Sequence, residues 1–349
     1  MSQGTCPRDS VKLLQITTPL LCGGVFCAIG KAEKIEENRQ MVLNTGNRTD
    51  IPAFYSEWFA RRLQEGYVLS RNPYNPEQVI RYELNPDVVD IIMFCTKNPG
   101  PMLKYMDLLR PFTQYWHVTI TPYGKEIEPG VPDKKQVIRD FIRLSEQIGP
   151  DHICWRYDPV FINETYTVEH HLRVFDRMAG MMEHATKQVI ISFIDLYEKT
   201  KRNFPKAREV TAEEQNLLGE KMAEIAESHG MRIKACLENP SLSRFGIDVS
   251  GCFTRQDLER VLGEELEVPG TAMTRKGCSC VLGSDIGAYN TCAHFCRYCY
   301  ANYDRETVLA NRRLHDPDSP LLVGHLMPQD KVRSANQVSW KTGQLTLNL

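Results

Sequence analysis

Three cysteines stand close together near the end of the chain, in the run Cys292-Ala-His-Phe-Cys296-Arg-Tyr-Cys299-Tyr300. The spacing is CxxxCxxC. Three thiolates this close can hold three corners of a four-iron cluster and leave the fourth iron open for chemistry. A structural zinc site usually takes paired CxxC or Cys/His ligands, four in all, and His294 inside the run keeps that alternative open. Buried structural thiols are the third option.

Four more cysteines precede this run: Cys236, Cys252, Cys278 and Cys280. Four thiolates can complete a closed second site, either another iron–sulfur cluster or structural zinc. Against this stands a set of unrelated buried thiols. Cys6, Cys22, Cys27 and Cys154 carry no comparable pattern.

The elements that must position these thiols follow from the rest of the chain. It has 349 residues, 42% hydrophobic and 25% charged, enough for one large α/β domain or two smaller ones. A net charge of −2 gives no global field that would draw it to nucleic acid. Twelve cysteines in a chain of this length are not a small secreted disulfide framework, so a reducing cytoplasmic location is expected, with thiols free for metal. No run of 18 apolar residues suggests a membrane span. Residues 1–40 read as an N-terminal extension, because the regular pattern starts only at Met41.

From Met41 strand-like and helix-like segments alternate. Met41–Thr45, Val88–Cys95, Tyr115–Thr121, His152–Tyr157, Gln188–Ile194 and Met231–Cys236 read as strands. Phe54–Gln64, Asp133–Ile148, Thr167–His184 and Thr211–His229 read as helices, the last with a capping box from Thr211 to Glu214 and a stop at Gly230. Strands apolar on both faces and separated by single helices indicate a parallel sheet. The expected fold is therefore α/β, a full or partial TIM-like (β/α) barrel. Function in such a fold sits at the carboxyl ends of the strands. Those ends carry Arg48, Thr49 and Asp50, then Thr96, Lys97 and Asn98, then Thr119 and Thr121, Arg156 and Asp158, Asp195 and Glu238.

The cysteine run resembles the cluster motif of radical S-adenosylmethionine (SAM) enzymes. In that superfamily the open iron of a [4Fe-4S] cluster chelates SAM, and reductive cleavage yields a 5′-deoxyadenosyl radical. The middle of the chain resembles the spore photoproduct lyase branch: Thr96-Lys-Asn-Pro99, the strand Val118-Thr-Ile-Thr121, and Glu128-Pro-Gly-Val-Pro132. In that branch these segments follow the cysteine motif, whereas here they precede it, and only 50 residues follow Cys299. A circularly permuted barrel reconciles the two orders. The strand near Cys280–Ile286, the cysteine loop and a helix from about Tyr300 to Arg313 would form the first unit in space while coming last in sequence. Residues 41–349 as a whole are similar to a bacterial family of unassigned reaction with a radical-SAM-like cysteine cluster at its C-terminus. The matching stretches are Asn47-Arg-Thr-Asp-Ile-Pro-Ala-Phe-Tyr55, Trp155-Arg-Tyr-Asp-Pro159, Ile191-Ser-Phe-Ile-Asp-Leu-Tyr197 and Asp285-Ile-Gly-Ala-Tyr-Asn290. Cys95 departs from that family, where Trp is expected.

The resemblance implies roles. Lys97 matches the lysine expected to pair with the SAM carboxylate, an ammonium being a suitable point charge for that group. Thr119 belongs to the same pocket, and Tyr298 would lie against the cluster and the adenine edge. Cys95 and Tyr300 are the candidate catalytic residues; Cys95, beside the lysine turn, can give hydrogen to a product radical, with core packing as its alternative role. The electron would come from a flavodoxin or ferredoxin. The segment 41–315 is then the permuted barrel, with 236–299 its cysteine-rich part, and 316–349 a tail. Its end, Gln344-Leu-Thr-Leu-Asn-Leu349, resembles the peptide by which bacterial repair proteins dock on the DNA sliding clamp. A tail strand packed back on the barrel is the alternative. Expected function is radical SAM chemistry in DNA repair or modification. A peptide, tRNA or small metabolite as substrate, or a non-catalytic iron–sulfur or zinc protein, are the rivals.

Overall fold

The segment Ile91–Thr96 shows why the sheet is parallel and covered on both sides. Its alternate residues Ile92 and Phe94 pack into one apolar cluster and Ile91 and Met93 into another, all fully buried. Such a strand has no wet face, and helices or loops must cover both sides. A computed structural model of the protein describes residues 41–236, 238–269, 279–281 and 283–346.

Strand β1 (Val42–Asn44) is followed by helices α1 (Ile51–Phe54) and α2 (Ser56–Glu65), and then by the antiparallel hairpin β2 (Tyr67–Arg71) and β3 (Gln78–Glu83). Strand β4 (Ile91–Thr96) leads through a 3₁₀ turn and the short helix α3 (Met106–Leu109) to β5 (Gln114–Thr119). Helix α4 (Lys134–Ile148), β6 (Ile153–Val160), α5 (Val168–Met182) and β7 (Gln188–Phe193) follow. Then come α6 (Glu198–Asn203), α7 (Ala212–Ser228), β8 (Arg232–Ala235), α8 (Arg255–Leu262) and β9 (Glu264–Leu266). The chain ends with β10 (Ser284–Asp285), α9 (Arg305–Arg313), β11 (Lys331–Ser334) and β12 (Lys341–Leu345).

Seven strands form one sheet in the order β10-β1-β4-β5-β6-β7-β8, every neighbouring pair parallel. The last of these strands in sequence thus lies beside the first, with Leu43 opposite Ser284. The sheet is open, since β10 and β8 do not pair with each other among the described residues. Residues 248–253 lie against both edges instead. Ala235 N donates to Asp248 O at 2.8 Å, and Val281 N donates to Phe253 O at 2.8 Å.

One face of the sheet holds helices in register through large aromatics. Phe94 stacks on Trp116 with centroids 3.9 Å apart, and Trp155 stacks on Phe175 of α5. Each such side chain contributes about 2–3 kcal/mol by leaving water. Helix α4 places Val137, Ile138, Phe141 and Leu144 on its buried stripe and is capped by Asp133. Helix α7 has the capping box of Thr211 and Glu214. The other face is covered by the chain between β8 and β10: Phe253 stacks on Tyr115 at 4.6 Å, and Leu258 and Leu266 complete that cluster.

Two features differ from the sequence expectation. The helix expected over Phe54–Gln64 is two helices broken at Tyr55, whose hydroxyl donates to Thr291 O at 2.8 Å. That long-range bond wins over continued helix. The end of the chain, expected as a tail with a docking peptide at its end or a single strand packed back on the barrel, carries two strands. β11 pairs with β3, β12 pairs with β9, and Trp340 between them is buried, its amide donating to Asp90 Oδ2.

Candidate functional site

A cleft of about 270 Å³ opens at the carboxyl ends of the parallel strands. Its walls come from successive strand ends: Thr49 and Asp50 after β1, Thr96 and Lys97 at the end of β4, Thr119 of β5, Arg156 and Asp158 of β6, and Asp195 after β7. Cys292, Cys296 and Cys299 line it from one side, and Cys236, Cys252 and Cys280 also reach it. The two cysteine sets thus share one cavity.

The loop carrying Cys292, Cys296 and Cys299 follows β10 and is seated by two other segments. Gly130 N donates to His294 O at 2.8 Å, and Arg297 N donates to Ile127 O at 3.0 Å. A Cβ on Gly130 would stand 2.1 Å from Ala293 O, so only glycine lets the two backbones meet here. On the other side Thr291 Oγ1 donates to Thr49 Oγ1 at 2.7 Å.

His294 is not free to bind metal in this arrangement. Its Nε2 donates to Asp50 Oδ2 at 2.8 Å, and its Nδ1 faces Gly130 O. Asp50 is the hub: it also accepts from Thr96 Oγ1 at 2.7 Å, from Lys97 N at 2.8 Å and from Ala53 N at 3.0 Å. A short polar side chain thus joins three sequence stretches far apart in the chain.

Lys97 lies under the cysteine loop. Its Nζ is 2.9 Å from Glu128 Oε1 and 5.5 Å from the centre of the Tyr298 ring. Glu128 is fully buried and accepts four donors, from Lys97, Lys134, Thr121 and Tyr298. Burial alone would push its carboxyl up, but Lys97 and Lys134 override this and hold it well below the usual carboxylate range. The two lysines respond differently to the same carboxylate. Burial lowers both, yet Glu128 and then Cys296 carry Lys97 above its usual value, while Lys134 also faces Lys97 and stays below. Lys97 is thus held as an ammonium at the cavity wall.

The remaining residues singled out by sequence are placed as follows. Thr119 and Tyr298 line the cleft, and Tyr298 donates its hydroxyl to Glu128. Tyr300 lies at the rim, 40% exposed, its hydroxyl donating to Asn47 O at 2.6 Å. Cys95 faces the cleft with Sγ 4.0 Å from His117 Nδ1, and burial pushes its thiol up to about 12. It is a thiol at neutral pH. Cys154 is buried in β6 and takes no part in the cleft.

The donor sets fit different occupants. Burial raises the thiols of Cys292, Cys296 and Cys299, so any metal must displace their protons. The sulfurs of Cys236, Cys252 and Cys280 all lie within 4.8 Å of one another, the spacing of ligands to one ion. A four-iron cluster spreads its thiolates over different irons, and the three thiols of the CxxxCxxC loop would leave one iron to an outside ligand. Cys278 lies outside the described residues, so its place in the second set is not described.

Sequence reasoning marked Asp50 only as one polar strand end among many, and Glu128 only as part of a Pro-rich segment. No local signal shows that each gathers four donors, because three of those on Asp50 and two of those on Glu128 come from distant stretches. His294 was weighed as a ligand, but the carboxylate of Asp50 takes it instead.

The fold and site define an α/β protein with a parallel sheet and a cysteine-lined cleft at its strand ends, where the sulfurs of Cys236, Cys252 and Cys280 stand close enough to hold a metal ion. The chain belongs to the family described as Domain of unknown function (DUF1848), which matches residues 42–301 and so contains both cysteine sets. No curated protein matches the chain. Among solved structures, a putative alpha-L-fucosidase from Bacteroides thetaiotaomicron is similar at 10% identity and a TM-score of 0.27, over 65% of this chain and 86% of that one. Among the described residues no helix is long and apolar enough to cross a membrane.

Proposed function

We propose that the protein is a radical SAM enzyme, with a [4Fe-4S] cluster on Cys292, Cys296 and Cys299. The observation that carries this is that Lys97 and the CxxxCxxC loop line one cleft, with Lys97 and Tyr298 of the loop both bonded to the buried Glu128, although Lys97 and the loop are about 200 residues apart in sequence. The chemistry supplied there is reductive cleavage of SAM at the open iron to methionine and a 5′-deoxyadenosyl radical, the electron coming from a flavodoxin or ferredoxin.

The chain's own residues have distinct parts in this reading. Lys97 presents a fixed positive charge for the SAM carboxylate, and Glu128 fixes where that charge sits. Tyr298 and Thr119 shape the wall beside it. Cys95, a half-buried thiol on the cleft, would give a hydrogen atom to a product radical. The fold is read as a partial barrel of permuted order. The position of β10 beside β1 supports this, as does the meeting of both sheet edges at residues 248–253. The substrate reading of DNA depends on the terminal peptide, whose first residues Gln344 and Leu345 end the strand Lys341–Leu345 paired with Glu264–Leu266.

The test is anaerobic reconstitution with iron and sulfide, followed by EPR of the reduced protein with and without SAM. A cubane signal that shifts on adding SAM and disappears in Cys296→Ala is expected. A signal indifferent to SAM would remove the catalytic reading.

A further inference from the structure

The sulfurs of Cys236, Cys252 and Cys280 come from three separate segments: the residue after β8, the stretch before α8 and the lead into β10. Cys252 Sγ is 3.3 Å from Cys280 Sγ, and Cys236 Sγ is 3.9 Å from it. Zinc–thiolate bonds of about 2.3 Å in a tetrahedron set their sulfurs about 3.8 Å apart. The observed spacing is that of ligands closing on one ion. It is too tight for a four-iron cluster, whose thiolates sit on separate irons. It is also too long for a disulfide, whose sulfurs lie about 2.05 Å apart.

The surroundings are built for this. Cys252 N donates to Cys280 Sγ at 3.0 Å, the kind of backbone support that orients a metal thiolate. Gly251 has φ +135°, and a Cβ there would stand 2.8 Å from Cys280 Sγ, so glycine makes the room the sulfur occupies. Arg156, half-buried and paired with Asp158, feels Cys252 and Cys236 as nearby negative groups and offsets their charge. The three sulfurs also bridge the open seam of the sheet, because one follows edge strand β8 and another precedes edge strand β10.

We propose that Cys236, Cys252 and Cys280 hold a single zinc ion with its fourth position turned into the cleft, where it takes an oxygen or thiolate of the substrate. Among the described residues three sulfurs converge here, and three protein ligands with one open position mark catalytic or substrate-binding zinc rather than structural zinc. The site shares one cavity with the thiols of Cys292, Cys296 and Cys299, so a ligand in the cleft can reach the ion. This goes beyond the radical SAM reading and stands without it, because the donor set, spacing and supports belong to a different part of the chain.

Zinc-edge X-ray absorption on the full-length protein tests it, alongside metal analysis of wild type, Cys278→Ala and Cys280→Ser. The zinc edge is read separately from iron, so failure of the cluster would leave this result untouched. About one zinc per chain is expected, bound by three sulfurs and one lighter atom, kept in Cys278→Ala and reduced at least about tenfold in Cys280→Ser. Cobalt in place of zinc should change its visible bands when 2-mercaptoethanol is added. Four sulfurs with loss of zinc in Cys278→Ala would overturn the open position. About eight irons and no zinc in wild type, or no metal at these thiols, would overturn the site itself. Should Cys280→Ser fail to fold by circular dichroism, the zinc edge of wild type and the Cys278→Ala analysis still decide.

Discussion

His294 Nε2 donates to Asp50 Oδ2 at 2.8 Å, so the cysteine loop is fastened to the loop after β1 by a buried side-chain contact spanning 244 positions. The same carboxylate fixes the turn at Thr96 and Lys97 through two further bonds. Asp50→Ala would leave several buried donors without an acceptor, each costing about 1–3 kcal/mol. We expect a drop of about 3 kcal/mol or more in unfolding free energy, with reduced iron loading after reconstitution. Denaturant unfolding and iron analysis check this. Wild-type stability in the variant would remove Asp50 from its place as hub.

Glu128 gives a second prediction, with a pH dependence. Its native carboxyl titrates below the usual 4.5, so the unfolded state takes up a proton first as pH falls. The stability it supplies is therefore complete above about pH 4.5 and is lost progressively below it. Glu128→Gln removes that part and leaves Lys97 and Lys134 facing each other without a counterion. A loss of about 3–5 kcal/mol is expected at pH 7. The difference from wild type should shrink as pH falls below about 4. Chemical unfolding at pH 3.5, 5 and 7 measures it, and a pH-independent difference would count against the assignment.

The strands and principal helices were legible because their signals are local. Continuous apolar runs such as Ile91–Phe94 can only be strands covered on both faces, and Thr211 with Glu214 marks a helix start by itself. The hairpin β2–β3 was not legible. Its residues Tyr67–Arg71 and Gln78–Glu83 mix charged and apolar types without clean alternation, and β3 is completed by β11 from the far end of the chain. The cysteine run was visible through its spacing alone. The hubs were not, because the importance of Asp50 and Glu128 lies in donors brought from elsewhere by the fold. The spacing of the second thiol set was equally hidden, since Cys236, Cys252 and Cys280 are separated by 16 and 28 residues and only the sheet edges bring them together.

His171 provides a test of the core away from the cleft. It is fully buried between Tyr157 OH and Phe161 O, and burial lowers its imidazole from 6.5 to about 4. Between those values the unfolded chain binds a proton that the native protein refuses. Stability must therefore fall as pH drops from about 6.5 to 4, by up to about 3 kcal/mol. His171→Gln should flatten that segment of the stability curve. A slope unchanged in the variant would place the titration elsewhere.

Leu345 decides whether the end of the chain is a docking peptide. It lies in β12 opposite Glu264, yet its side chain is 74% exposed and packs on nothing that would be lost. Leu345→Ala should shift unfolding free energy by no more than about 0.5 kcal/mol. Any change in clamp binding would then report a direct contact. For the peptide to enter a groove, β12 must leave β9, so a synthetic peptide of residues 340–349 should bind the sliding clamp more tightly than the intact protein does. Fluorescence anisotropy against purified clamp compares the two. Equal affinities would mean that β12 separates from β9 at negligible cost, and no binding by either would leave this terminal strand with a purely structural place beside β9.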